Sequence, residues 1–156
     1  MQTGDVLLIR RKWCPVSWLI CKMTKSSYNH VAWAVNERNV IEVRAKGVAT
    51  RPLSAYLNKT WYDVVVLRPK NIDNKLLRQQ VFKSEWAKVK YSYFSFLLNI
   101  LLFAFNVPQT RYFCTSFIAI YLDEIGWHFT RKPLDRITPW DFEISLNFWS
   151  PDEELL

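Results

Sequence analysis

Apolar and polar positions alternate with period two over His30-Val31-Ala32-Trp33-Ala34-Val35 and again over Val40 to Ala45, which predicts two strands. In the first, Val31, Trp33 and Val35 make a large apolar face, with His30, Ala32 and Ala34 on the other. In the second, Ile41, Val43 and Ala45 are the apolar face and Glu42 lies opposite. Asn36-Glu37-Arg38-Asn39 between them is a turn signal. Val6 to Arg10 is a short apolar run after Gly4 and reads as a buried strand. Asp63 to Arg68 is β-branched and continuous, as in a strand covered on both faces, and Pro69 ends it.

Helical spacing predicts the remaining elements. Pro15 permits a helix start within Trp13 to Met23, and Asn71-Ile72-Asp73 offers caps for a helix running to about Val89. Leu53 to Leu57 reads as a helical turn, Gly47 to Pro52 as part of a turn, and Phe142 to Trp149 as a last edge strand. The tidiest stripe lies in Arg111 to Ile125, where Cys114, Phe117, Ile118, Tyr121 and Ile125 share one side and Gly126 stops the helix. Phe94 to Phe105 is the most hydrophobic stretch; it is shorter than the about 20 residues a bilayer span needs, and Asn99 interrupts it. It is read first as a core or cleft-wall helix and second as a membrane or lipid-chain contact.

Composition narrows the class. The chain has 156 residues, 50% hydrophobic and 16% aromatic, with three glycines, so one packed domain over 1–156 is expected. The formal charge of +7 suits an anionic partner, but Lys and Arg are scattered and form no long run, so a solvated surface is the preferred explanation. No RNP-like aromatic motif or helix-turn-helix spacing stands out, which leaves nucleic acid disfavoured as a partner. The beginning of the chain shows no basic segment followed by a cleavable apolar one, so a cytoplasmic location is expected. Cys14, Cys21 and Cys114 are odd in number and hold no CxxC pair, against a disulfide framework and a structural zinc site.

Three residues carry candidate chemistry. Cys114 sits at the first turn of its helix, where unpaired N–H groups and the dipole favour thiolate. A lone cysteine on an apolar stripe is more often inert packing; a histidine that could serve it changes the balance. His30 opens a strand, and Glu42 can orient its imidazole if both leave the same face of a hairpin. Because side chains alternate, an even loop about Glu37 and Arg38 would set Glu42 opposite Trp33 and send it the wrong way. An odd loop or bulge within Asn36 to Asn39 is therefore predicted, pairing Glu42 with Ala32 or Ala34 and leaving Trp33 in the core. The two alanines beside His30 suggest an open cleft floor.

In order and spacing these segments resemble the permuted NlpC-type papain-like cysteine hydrolases, the YiiX/YebB-like group. Gly4-Asp5-Val6-Leu7-Leu8 is similar to the opening strand of that family, and Thr24 to Val31 to its T-x-S-x-x-x-H-V segment. Val40 to Val43 with Gly47-Val48 resembles the strand bearing the acid, Val65 to Arg68 the V-x-R strand, and Tyr112 to Phe117 the start of the nucleophile helix. Ser116 departs from the family's glutamate, Val89 to Tyr93 replaces a glycine and Tyr-Asp pair, and Phe94 to Phe105 is heavier than usual.

The resemblance implies an α+β, circularly permuted papain-like (NlpC-type) fold, with an antiparallel sheet packed against the helix that bears the nucleophile. It also implies a cysteine hydrolase (a thiol protease or a lipid acyl hydrolase) or an acyltransferase acting on an amide, ester or thioester carbonyl. Cys114 would attack, His30 would move the proton, Glu42 would orient His30, and the Cys114 N–H would face the oxyanion, with no metal or organic cofactor. The expected partner is a peptide or acyl substrate, with a weak membrane or lipid contact through Phe94 to Phe105 as the further option. The alternative is a catalytically inactive module that binds nucleic acid or an acidic membrane surface.

Overall fold

The computed structural model describes residues 1–44, 47–85 and 114–151. Among them are six strands, β1 (Val6–Arg11), β2 (His30–Ala34), β3 (Asn39–Arg44), β4 (Gly47–Pro52), β5 (Tyr62–Pro69) and β6 (Phe148–Trp149). The α-helices are α1 (Pro15–Thr24), α2 (Asn74–Glu85), α3 (Cys114–Asp123) and α4 (Pro139–Glu143), with 3-10 turns at Leu53–Tyr56 and Leu134–Arg136. The strands form one antiparallel sheet in the order β4-β3-β2-β1-β5-β6. The architecture is α+β.

Both faces of the sheet are covered. On one, Val6, Leu8, Val31, Trp33, Ile41 and Val43 pack with Leu77 and Val81 of α2, Phe117, Ile118 and Leu122 of α3 and Phe142 of α4. On the other, Leu7, Ile9, Ala32, Ala34 and Val40 pack with Tyr56 and the part-buried Leu53, Tyr62, Val64 and Val66. The predicted open floor over Ala32 and Ala34 is therefore filled. Both alanines are fully buried, because the 3-10 turn after β4 folds Tyr56 onto them.

The hairpin has the odd loop expected from parity. Asn36 Oδ1 accepts from the Arg38 and Asn39 N–H groups at 2.9 Å each, and Val35 N–H donates to Asn39 O at 3.0 Å, leaving three residues in the loop. Trp33 then pairs with Ile41 and Ala34 with Val40. One step further along that register, Glu42 is level with Ala32.

Two segments quoted for the family resemblance meet at the far end of β1. Asp5 is buried and takes both Arg68 nitrogens, Nε at 2.7 Å and Nη2 at 2.9 Å, in a bidentate pair. Gly4 has φ of +96°, and a Cβ there would lie 2.3 Å from a Leu77 methyl, so Leu77 of α2 sits directly on the backbone just before β1.

Other expectations are corrected. Gly47–Pro52 is a strand, paired along its length with β3. Phe142 to Trp149 is no continuous edge strand: a capping box between Thr138 and Asp141, with Pro139 in the first turn, makes α4, and only Phe148–Trp149 joins the sheet. Helix α2 starts at Asn74, after Asp73 Oδ1 has accepted the Lys75 and Leu76 N–H groups at 2.7 and 3.2 Å. The expectations for 86–113, including the Phe94 to Phe105 contact, lie outside the described residues. No helix among the described residues is long and apolar enough to cross a membrane.

Candidate active site

His30 is held from both sides of the chain. The Asn29 N–H donates to Ile9 O at 3.1 Å, and His30 then pairs with Ile9 as the first residue of β2. The loop before it is tied down at Ser26, whose hydroxyl donates to Glu143 Oε2 at 2.8 Å and accepts the Tyr28 N–H at 3.0 Å. The Asn29 side chain accepts from the Arg11 N–H at 2.9 Å and from the Ser17 hydroxyl of α1 at 2.7 Å. The imidazole therefore projects from a braced strand start.

The parity argument places its partner. Glu42 Oε2 lies 2.5 Å from His30 Nε2, although Glu42 is only 1% exposed. A buried carboxylate needs its lone pairs filled. Here Tyr56 Oη donates to Oε2 at 2.7 Å and Arg44 Nε donates to Oε1 at 2.6 Å. Arg44 Nη2 also donates to Tyr56 Oη at 3.0 Å, and Arg51 Nη1 stands 3.9 Å from Oε1. The result is a closed network of one carboxylate, one phenol, one imidazole and two guanidinium groups.

Cys114 is the first residue of α3 and is half-buried. Its side chain hydrogen-bonds His30, and the Val31 and Thr115 N–H groups also reach the sulfur. Since Glu42 occupies Nε2, Nδ1 is the ring nitrogen left for the thiol. Thr115 anchors this first turn by donating to Ile137 O at 2.6 Å. The next residue, Ser116, stands where the resembling family has glutamate; it is fully buried, and its hydroxyl has no hydrogen-bond partner among the described residues.

Electrostatics couple the three groups. Burial pushes the Cys114 thiol up, but the His30 charge, its hydrogen bond and the two N–H groups outweigh this and lower the pKa overall. Burial likewise disfavours charge on His30, yet the Cys114 sulfur and then the Glu42 carboxylate raise it to about 10. For Glu42, burial is overcome by His30, Tyr56 and Arg44, which hold the carboxyl down at about 2. Tyr56 moves the other way: burial and the adjacent carboxylate raise its pKa, so it remains a neutral donor. The shifts of all three groups run toward a thiolate–imidazolium pair backed by a carboxylate.

The structure thus brings together Cys114, His30 and Glu42, the three residues singled out from sequence. Sequence reasoning did not single out Tyr56, Arg44 or Arg51. Arg44 was within reach, since it lies two residues after Glu42 and so on the same strand face. Tyr56 and Arg51 come from the next strand and turn, and no local pattern points to them.

The sequence matches no protein-family model, and it matches no curated protein. It is similar in structure to the crystal structure of the metalloprotein YiiX from Escherichia coli O157:H7, with a TM-score of 0.66. The alignment covers 96% of this chain and 95% of that one, at 17% identity. The fold is YiiX-like. At that identity the likeness speaks for the course of the chain, and the chemistry of the YiiX-like fold here has to be argued from its own side chains.

Proposed function

We propose that this chain is a cysteine hydrolase or acyltransferase, a circularly permuted papain-like enzyme acting on an amide, ester or thioester carbonyl through an acyl-cysteine intermediate. The observation that carries the reading is the continuous relay from Glu42 Oε2 through His30, 2.5 Å away, to the Cys114 sulfur. Packing alone does not account for a carboxylate kept ionised in a core next to a thiol whose pKa is lowered.

The thiolate would attack the carbonyl carbon, forming a C–S bond while the carbonyl electron pair moves onto oxygen. Collapse of that tetrahedral species would expel the amine, alcohol or thiol, which takes the proton from the His30 imidazolium. Neutral His30 would then take a proton from water as its oxygen attacks the thioester, releasing the acid and restoring the ion pair. Glu42 would hold the ring and stabilise its charge throughout. The Cys114 N–H, at the helix start, is the proposed oxyanion donor.

The name of the YiiX structure raises a resident metal, and the donors among the described residues do not form a ligand set for one. Among the described residues no three His, Cys, Asp or Glu side chains group as ligands. Both Glu42 oxygens are already taken by His30, Tyr56 and Arg44.

The test is labelling with a haloacetamide or acyl electrophile near neutral pH, with Cys114→Ala as control and Cys14 and Cys21 as internal references. Selective, rapid modification of Cys114 supports the reading; equal labelling of wild type and variant removes it. A panel of peptide amides, acyl esters and thioesters would then separate peptide from lipid acyl substrates.

A further inference from the structure

Helix α1 is built inside out. Its ten residues carry Val16, Trp18, Leu19, Ile20 and Met23, enough to bury an apolar side, yet its only buried residue is Ser17. At 100° per residue Ser17, Ile20, Cys21 and Thr24 fall on one side and Pro15, Leu19, Lys22 and Met23 on the other, with Val16 and Trp18 flanking. The side that bears Ser17 is the one held to the protein, through the Ser17 hydroxyl and the Asn29 side chain at 2.7 Å. The large apolar groups face outward: Trp13 just before the helix is 82% exposed, Trp18 60%, Val16 47% and Leu19 41%.

Charge says what fits this face. From Val6 to Asn36 the chain has five basic residues, Arg10, Arg11, Lys12, Lys22 and Lys25, and no Asp or Glu. Lys12 pairs with Asp63, but the other four are exposed, and the nearby Glu143 carboxylate is tied to Ser26 and Ser27. Lys22 Nζ lies 5.0 Å from the Trp18 ring centre, so a cation and an amphipathic aromatic stand side by side, as side chains at a headgroup layer do.

We propose that α1 docks the protein on an anionic lipid surface, lying in the interface with Trp13, Val16, Trp18 and Leu19 among the acyl boundary and Arg10, Arg11, Lys22 and Lys25 on the headgroups. An aliphatic side with tryptophan next to basic residues is the composition of a helix that lies on a membrane without spanning it. Asn29, which tethers α1, directly precedes His30, so docking would hold the candidate site beside the surface. The inference stands independently of the chemistry at Cys114.

Co-sedimentation with phosphatidylcholine vesicles, with and without phosphatidylglycerol, tests it. Binding is expected only to the anionic vesicles, weakening as salt rises. The double variant Trp13→Ser/Trp18→Ser should bind about tenfold more weakly or worse. Lys22→Glu/Lys25→Glu should lose at least about 25-fold, about fivefold for each charge removed. Both pairs are exposed and the fold should survive, as far-ultraviolet dichroism would verify; Cys114→Ala should bind like wild type. Absence of binding to anionic vesicles, equal binding to zwitterionic ones, or binding indifferent to both double variants overturns the proposal. A dimer that Trp18→Ser dissolves, in a protein that ignores vesicles, would assign the face to a second copy of the chain instead.

Discussion

Helices α1 and α3 are each ten residues long, and both are rich in large apolar side chains. Yet α3 buries Phe117, Ile118, Ala119 and Leu122 together with Thr115 and Ser116, whereas α1 buries Ser17 alone. Helix α3 is pressed between β2 and α2 and carries the candidate nucleophile; α1 hangs on the sheet by Ser17 and Asn29 and leaves Val16, Trp18 and Leu19 outside. Periodicity therefore reveals that a helix has an apolar side, and the anchoring of its polar side decides whether that side is a core or a docking surface.

The largest effect should come from α3. Cys114→Ala is expected to lower kcat/KM by about 10⁴-fold or more, because nucleophile and base act as a unit, while unfolding stability changes little. Steady-state kinetics on an active substrate of the panel, with urea melts in parallel, would check this. Retained turnover in the alanine variant would strip α3 of its chemical role and leave it a packing helix.

A direct contrast uses one leucine from each helix. Leu122→Ala, at a fully buried position, should cost about 2–5 kcal/mol in chemical denaturation. Leu19→Ala on α1 should cost less than about 1 kcal/mol, as expected for a part-exposed surface side chain. Equal costs would mean that α1 packs against something in solution that keeps its face dry.

The site's pH response follows next in size. Glu42 sits at about 2 in the fold against 4.5 as the free group, so its contribution is complete above about 4.5 and lost as pH falls toward 2. That contribution is about 3 kcal/mol, and Glu42→Gln should erase this acid limb from urea midpoints measured against pH. His30 is raised from 6.5 to about 10, so its contribution is complete below 6.5 and disappears as pH rises through about 10. Cys114 alkylation in wild type should accordingly persist to lower pH than in His30→Ala, where loss of the imidazolium removes the largest influence lowering the thiol pKa.

Much of this site was legible in the sequence, because its geometry is parity. The clean alternation of β2 and β3 fixed which residues could share a face, and only an odd loop at Asn36–Arg38 could bring Glu42 to the side of His30. The Gly4-Asp5 and Arg68 segments were legible as patterns, but nothing local revealed that they form one ion pair. Strand β4 escaped because Gly47 and Pro52 bound it and read as turn residues, although β3 offers it a full ladder. The capping box that makes α4 was present as Thr138-Pro139-Trp140-Asp141, and the alternation of the following residues distracted from it. What filled the space above Ala32 and Ala34 could not be read, since Tyr56 arrives from the turn after β4.

Tyr56 also supplies the smallest and most specific prediction. Its hydroxyl is one of two donors on Glu42 Oε2, and Arg44 Nη2 donates to it in turn. Its ring packs edge-on to Tyr62, with centroids 5.4 Å apart, and against the alanines of β2. Tyr56→Phe keeps that packing and removes only the hydroxyl. Glu42 would retain His30 and Arg44, so the loss should be about 1–2 kcal/mol, the range for a hydrogen bond to a charged group with other partners remaining. The removed donor favoured the carboxylate, so the acid limb of stability should move to higher pH while the alkaline limb set by His30 stays in place. Tyr56→Ala should cost several kcal/mol more, because it also opens a cavity over Ala32 and Ala34. If Phe and Ala cost the same, the ring contributes nothing and the face opposite α3 is not a core; if Phe leaves the acid limb unmoved, the Tyr56 hydroxyl has no part in keeping Glu42 ionised.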